Sequence, residues 1–378
     1  MSAGATGPRI WRVLGDKRGD NGQVEMIADA LATRGWSSEL RHLEMQPQWV
    51  LGKPPVAASL SHLDMARSDA LEPPWPDLIL TSGRRPANVA LWIKEQSGGR
   101  ARIVLVGKPS GMMDRFDLIV TSAETLVAPF PNVLNIGLPL MRVDPARLGA
   151  GQAAWQETLA PLPRPIIAFL IGGPTNPFVY NAQVTARLRA RAAQVLAEGG
   201  TPYVVGSRRT PEGFVAALTE GQAGAVPRFD WHAPEGENPY AGLLALAQGF
   251  VVTGDSISMQ VEVARLGKPL EILPLPTGGL GWLDHARRQA AGWLFRPPQD
   301  GATGDVARIA LARLLFRLRL MPQTRHFPRF HQTLIDRGLA TWIGEGGAAI
   351  RSDTATETDA DMARILARID ALLPREAR

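Results

Sequence analysis

One stretch constrains this chain more than any other: Gly249 to Pro274, GFVVTGDSISMQVEVARLGKPLEILP. Phe250 to Thr253 is a short β-branched run suited to a buried parallel strand. Asp255 and Ser256 can cap a helix, and Gly267, Lys268 and Pro269 supply its stop signals. Helical phase puts Asp255, Ser258 and Glu262 on one side of the first two turns, with the N-terminal amides at the carboxyl end of a sheet. Such a place suits an anion and a sugar hydroxyl. Asp255 and Ser256 read equally well as plain N-caps. Glu262, between Val261 and Val263, is costly to bury without a partner, so it either binds something or points to solvent.

The same alternation runs through the chain. Ile10 to Leu14 reads as a strand, GDKRGDNGQ as a polar turn, and Gln23 to Thr33 as a helix. The turn is neither GxGxxG nor a P-loop and names no cofactor. It does place Asp20, Asn21 and Gln23 at the carboxyl edge of a parallel sheet, where doubly wound folds hold ligands. Residues 45–76 are an irregular insertion rich in Pro and Trp. After a strand over 77–81 comes SGRRPANVALWIKEQ, in which Pro86 fits the first helical position. Ser82, Gly83, Arg84 and Arg85 then occupy the preceding turn, the arginines either meeting an anion or simply solvated. Strands over 102–107, 117–120 and 133–136 complete a first domain, residues 1–145, and 146–164 read as a linker with one short helix. At 378 residues the chain exceeds one comfortable core, which also argues for two domains.

A second series fills 165–350. Ile166 to Ile171 is a strand running into GGPTN, Asn181 to Leu196 a helix and Tyr203 to Gly206 a strand. SRRTPEGF then echoes SGRRP, with Thr210 as cap and Pro211 at N1. Over 306–320, VARIALARLLFRLRL carries two apolar stripes separated by arginines. That pattern favours a helix packed on two sides over one lying on lipid. Residues 351–360 read as a polar loop and Met362 to Leu373 as a closing helix.

Several chemistries are excluded. The chain has no cysteine, so disulfides and thiolate sites are out. Its six histidines show no metal-ligand spacing, and a metal site is not expected. GDSIS lacks the last glycine of a nucleophile elbow. The net charge of +5 is scattered, without a basic tail, which argues against nucleic acid. No apolar run approaches a membrane span, so a cytoplasmic location is expected, with peripheral contact at the inner membrane face left open. What remains is polar, glycine-rich turns at strand ends. Two sheets facing across a cleft would present them to one ligand. Arg208 and Arg209 would neutralise a diphosphate, the amides at Ser256 to Ser258 would hold its oxygens, and Glu262 would accept from ribose.

IGGPTN, SRRTPE, VTGDSISMQVEVARLGKP and HFPRFHQTLIDRGLA, with SGRRP and FDLIV, occur in order along nearly the whole chain. In this succession the chain resembles the bacterial branch of the mitochondrial-fission "elongated mitochondria" family. The resemblance implies a glycosyltransferase B-like architecture, two Rossmann-like doubly wound domains, and a helix glutamate near Gly-Lys-Pro, here Glu262, at the nucleotide ribose. It also implies, from plant members, a role in organelle division through a dynamin-related partner. Relatives often carry Asn directly before Gln in the first loop; here Gly22 precedes Gln23.

The reading that follows is a glycosyltransferase using a nucleoside-diphosphate sugar as substrate, with no cofactor and no metal, and a glycan or lipid-linked acceptor. The donor side comprises Gly172, Gly173, Ser207, Arg208, Arg209, Thr210, Asp255, Ser256, Ser258 and Glu262. The acceptor side comprises Asn21, Gln23, Gly83, Arg84 and Arg85, with Asp20 as general base. A nucleotide-sugar epimerase and a non-catalytic adaptor are the alternatives.

Overall fold

The computed structural model of the chain describes residues 7–16, 18–49, 52, 54–108, 111–221, 226–279, 281–296, 303–345 and 354–373. The chain divides into two compact units, one of Met1–Met141, Ala291–Arg325 and Thr356–Arg378, the other of Arg142–Ala290 and His326–Ala355.

The first unit opens with β1 (Ile10–Leu14), α1 (Arg18–Ala32), β2 (Ser38–His42), β3 (Leu78–Ser82), α2 (Arg84–Gln96), β4 (Arg102–Val106), β5 (Leu118–Ser122), β6 (Thr125–Leu126) and β7 (Val133–Ile136). Six of these strands form a parallel sheet in the order β2-β1-β3-β4-β5-β7. Side chains alternate between its faces. Ile79, Ile103 and Ile119 enter one core with Val89, Ala90 and Ile93 of α2. Leu78, Val104 and Val120 enter another with Val24, Ile27 and Leu31 of α1. Burial on both faces is why LILTS, RIVLV and LIVTS are nearly continuous apolar runs.

The second unit carries α3 (Pro145–Leu159), β8 (Ile166–Ile171), α4 (Ala182–Ala197), β9 (Thr201–Gly206), α5 (Phe214–Thr219), β10 (Arg228–Phe229), α6 (Tyr240–Leu246), β11 (Gly249–Thr253), α7 (Ile257–Arg265) and β12 (Leu270–Leu273). The chain leaves this unit within α8 (Gly281–Leu294), gives α9 (Thr303–Arg317) and β13 (Thr324–Arg325) to the first, and returns with α10 (Phe327–Asp336) and β14 (Thr341–Trp342). It ends, in the first unit, in α11 (Thr354–Leu372). The second sheet is also parallel, in the order β10-β9-β8-β11-β12-β14. Its core gathers Phe169, Ile171, Val204 and Val251 with Val184, Leu188 and Val195 of α4.

Both expected α/β sheets are present, but the boundaries differ from a contiguous second domain over 165–350. Ala312 and Phe316 of α9 and Ile365 and Ile369 of α11 pack into first-unit cores. Residues 146–164 are no linker: most form α3, where a Cβ on Gly151 would lie 2.6 Å from the Ala241 carbonyl carbon. The polar stretch expected as a loop is, from Thr354 on, the first turns of α11.

The two-sided packing expected for α9 is corrected. Ala312 and Phe316 are buried, whereas Leu311, Leu314 and Leu318, at i, i+3 and i+7, are 44%, 53% and 59% exposed. No described helix is long and apolar enough to cross a membrane.

Candidate functional site

In the second unit the chain winds outward from β8 through β9 to β10, and in the opposite direction from β11 through β12 to β14. The connections leaving β8 and β11 therefore diverge, the point at which doubly wound sheets hold ligands beyond their carboxyl ends. The two loops are tied together there. Gly172 N–H donates to Thr253 Oγ1 at 2.8 Å and Gly173 N–H to Asp255 Oδ2 at 2.8 Å. The Tyr180 hydroxyl lies 2.7 Å from Asp255 Oδ1 and 3.0 Å from Thr253 Oγ1. A Cβ at Gly172 would run into the Asp255 carboxylate, and one at Gly173 into the Arg209 carbonyl, so the close approach demands glycine at both. Burial pushes the Asp255 carboxyl above its ordinary range, while the Gly173 amide and Tyr180 hydroxyl draw it back. Both carboxylate oxygens of Asp255 thus hold the loop itself.

The SRRT turn after β9 closes against the same loop. Thr210 Oγ1 accepts from Ser207 N–H at 2.7 Å and lies 2.7 Å from Gly172 O; Ser207 Oγ lies 3.1 Å from Gly172 O. Thr210 is therefore not the helix cap expected: α5 starts at Phe214, behind Gly213 with φ 73°. Arg209 donates to Thr175 Oγ1 at 2.9 Å and has Nη2 3.8 Å from Asp255 Oδ2. Arg208 is exposed.

At the start of α7 the Ser256 side chain makes no capping bond, and its hydroxyl, in a residue 1% exposed, has no partner among the described residues. The first-turn amides of α7 are left without a side-chain cap. Ser258 on that turn is exposed. One turn on, Glu262 is neither bare nor turned wholly to solvent. Its Oε1 accepts from Arg147 of α3 at 3.0 Å and its Oε2 from the Tyr240 hydroxyl at 2.7 Å. Burial first, then the Glu262 charge, pushes the Tyr240 phenol up.

Three further contacts brace the second unit. His331 Nε2 lies 2.8 Å from Gly254 O, and burial lowers its imidazole to about 4, so the neutral ring donates its N–H and pins the turn before Asp255. Lys268 Nζ donates to the carbonyls of Leu244, Ala245 and Ala247 at 2.7–2.8 Å, closing the end of α6. Arg191 grips Glu271 through Nη2 at 2.7 Å and Nε at 2.9 Å. His331 falls with Phe327, Phe330 and Leu334 at i, i+3, i+4 and i+7, the sequence signal that α10 turns a histidine to the core.

The corresponding place in the first unit is filled. Around Gly15, Asp16, Gly83 and Arg85 the cavity is about 20 Å³, the room of one water. Arg85 is buried, donates to Trp49 O at 2.7 Å and has Nη2 3.7 Å from Asp16 Oδ1. His62 reaches Arg85 O at 3.0 Å. Helix α2 begins at Arg84 behind Gly83, with φ 82°, so both arginines sit in its first turn rather than before it. Pro86 tolerates this because no first-turn amide has an intrahelical partner. Helix α1 likewise starts at Arg18, taking Asn21 and Gln23 into its first turns; Asn21 Nδ2 donates to Gly15 O at 2.7 Å and Gln23 is half-buried. The Asp20 side chain lies outside the described residues. Among the described residues no three acidic or histidine side chains group as metal ligands.

The model of the family described as mitochondrial fission ELM1 matches residues 18–286, more than half of the chain. The chain belongs to the mitochondrial fission ELM1 family. The matched stretch of the ELM1 family takes in the Gly172 loop, the SRRT turn and the β11–α7 turn, and stops before α9, α10 and α11. The chain is 28% identical over 222 residues to the mitochondrial fission protein ELM1 of Arabidopsis thaliana, covering 52% of this chain and 51% of that one. It thus spans about half the length of that relative. It is 24% identical over 301 residues to the uncharacterized protein RP120 of Rickettsia prowazekii, covering 71% and 83%. Among solved structures it is similar to a glycosyltransferase from Rickettsia africae, at 10% identity and a TM-score of 0.45 over 98% of this chain and 99% of that one. Other glycosyltransferases and UDP-GlcNAc 2-epimerases share the likeness.

Proposed function

We propose that this chain transfers a sugar from a nucleoside-diphosphate donor to a glycan or lipid-linked acceptor. The observation that carries the reading is the Ser256 hydroxyl, buried and unpartnered at the uncapped start of α7, beside the Gly172-Gly173 loop. A buried hydroxyl left so costs about 1–3 kcal/mol. A phosphate oxygen of the donor satisfies it together with the α7 amides.

In this reading the acceptor hydroxyl attacks the anomeric carbon and gives its proton to Asp20. The nucleoside diphosphate departs, its developing charge met by Arg208, Arg209 and the α7 amides. Asp255 holds the loop, and Glu262 accepts from ribose while keeping Arg147 and Tyr240 as its supports. The acceptor contact falls to Gln23, which does not line the filled first-unit cavity. Titration calorimetry with the nucleoside diphosphates tests the donor half. One base is expected to bind, with Ser256→Ala and Arg209→Ala each weakening it by about 1–3 kcal/mol. Binding unaltered in both variants removes this site.

Membership of a family named for mitochondrial fission favours a second reading, a non-catalytic adaptor that keeps the fold for partner binding. It requires that no nucleoside diphosphate binds. An epimerase, in contrast, converts a nucleotide sugar incubated with the protein alone.

A further inference from the structure

We propose that the first unit holds a separate site for the phosphate of an anionic lipid, in a cavity of about 600 Å³ lined by Arg84, Arg317 and Arg319. Arg84 opens α2, Arg317 closes α9, and Arg319 follows it. One carboxylate, Asp114, shares the cavity, with Oδ1 3.5 Å from Arg317 Nη2. These two side chains are 70% and 62% exposed, so their pairing contributes little and leaves the guanidinium available. Three guanidiniums against one carboxylate give a positive site, and their planar donor forks match phosphate oxygens. The other wall is apolar, built on Phe130 and Phe316 with ring centroids 5.7 Å apart, and the Arg317 guanidinium lies 5.7 Å from the Phe130 ring centre.

The apolar surface beside the arginines selects a lipid over a free anion. Leu318 and Leu320, 59% and 67% exposed, alternate with Arg317 and Arg319, and the exposed Leu311-Leu314-Leu318 stripe of α9 continues from them. A soluble phosphate would use the arginines and leave these leucines in water. A lipid phosphate uses both, its charge on the guanidiniums and its chains against the leucines, as at other interfacial helices. The inference stands apart from sugar transfer and needs neither α7 nor a donor.

The test is co-sedimentation of the full chain with phosphatidylcholine vesicles, with and without phosphatidic acid. Retention is expected only with phosphatidic acid. The Arg84→Gln/Arg319→Gln pair is expected to weaken it by roughly 25-fold, from roughly fivefold for each arginine near an anionic surface. Leu318→Ser/Leu320→Ser, both exposed, should weaken retention at an unchanged melting temperature. No retention, equal retention on neutral vesicles, or wild-type retention in either double variant overturns the proposal. So does stabilisation by inorganic phosphate that needs Arg84 and Arg319 while vesicles capture nothing, which would give the cavity to a free anion.

Discussion

His331 makes the second unit sensitive to acid in a way that can be worked out beforehand. Its imidazole is 3% exposed, holds Gly254 O at 2.8 Å, and has its pKa lowered by burial from 6.5 to about 4. Because the folded-state value lies below the unfolded one, the unfolded chain takes up a proton first as pH falls. Stability is therefore complete above about pH 6.5 and is lost as pH falls through the window down to about 4, at about 1.4 kcal/mol per pH unit and about 3 kcal/mol in all. Glutamine at this position keeps an N–H for Gly254 O and cannot titrate. His331→Gln should start about 1 kcal/mol less stable at neutral pH, for an imperfect hydrogen bond, and overtake the wild type near about pH 6. The assay is urea unfolding followed by tryptophan fluorescence at a series of pH values. The difference between the two proteins cancels the other titrating groups, His62 and His326 among them. A difference that stays flat from neutral pH to about pH 4 would show that His331 is not buried in this manner and refute the account of the turn.

Two further outcomes follow from the second unit. Glu271→Gln leaves the Arg191 guanidinium, 11% exposed, with only the more exposed Glu198 carboxylate at 3.9 Å, and is expected to cost about 1–3 kcal/mol in chemical denaturation. Replacing both residues by apolar side chains of similar volume should recover most of that loss. Tyr180→Phe removes the hydroxyl from Asp255 and Thr253, and should destabilise the fold by about 1–3 kcal/mol by the same measurement.

The sheets were legible because a strand buried on both faces must be written almost wholly in Ile, Leu and Val, as in IIAFLI of β8 and LIVTS of β5. Glycine and proline punctuated them. The junction of the Gly172 loop with the β11–α7 turn was legible for the same reason, since parallel strands bring their following turns to one edge. Hydrogen-bond partners were not. Thr210 followed by Pro211 has the local signature of a helix start, yet its hydroxyl is claimed by Ser207 and Gly172, the latter 38 residues away in sequence. Arg85 looked like half of an exposed pair, but Trp49 O and Asp16 draw it inward. The stripes of α9 were read correctly as stripes. Periodicity cannot say which stripe finds a core, and it was Phe316 that found Phe130 and Phe295, with Leu315 beside it, while Leu311, Leu314 and Leu318 stayed outside.

The segmentation of the chain bears on how it is made. Synthesis runs from the amino end, and domains generally condense as they emerge from the ribosome. Here the core of the first unit needs Ile365 and Ile369, whereas the second unit has all its strands once Trp342 is out. The part translated first is thus the part finished last. Until α11 arrives, the face of Leu78, Val104 and Val120 waits partly uncovered, the interval in which a nascent chain most depends on chaperones.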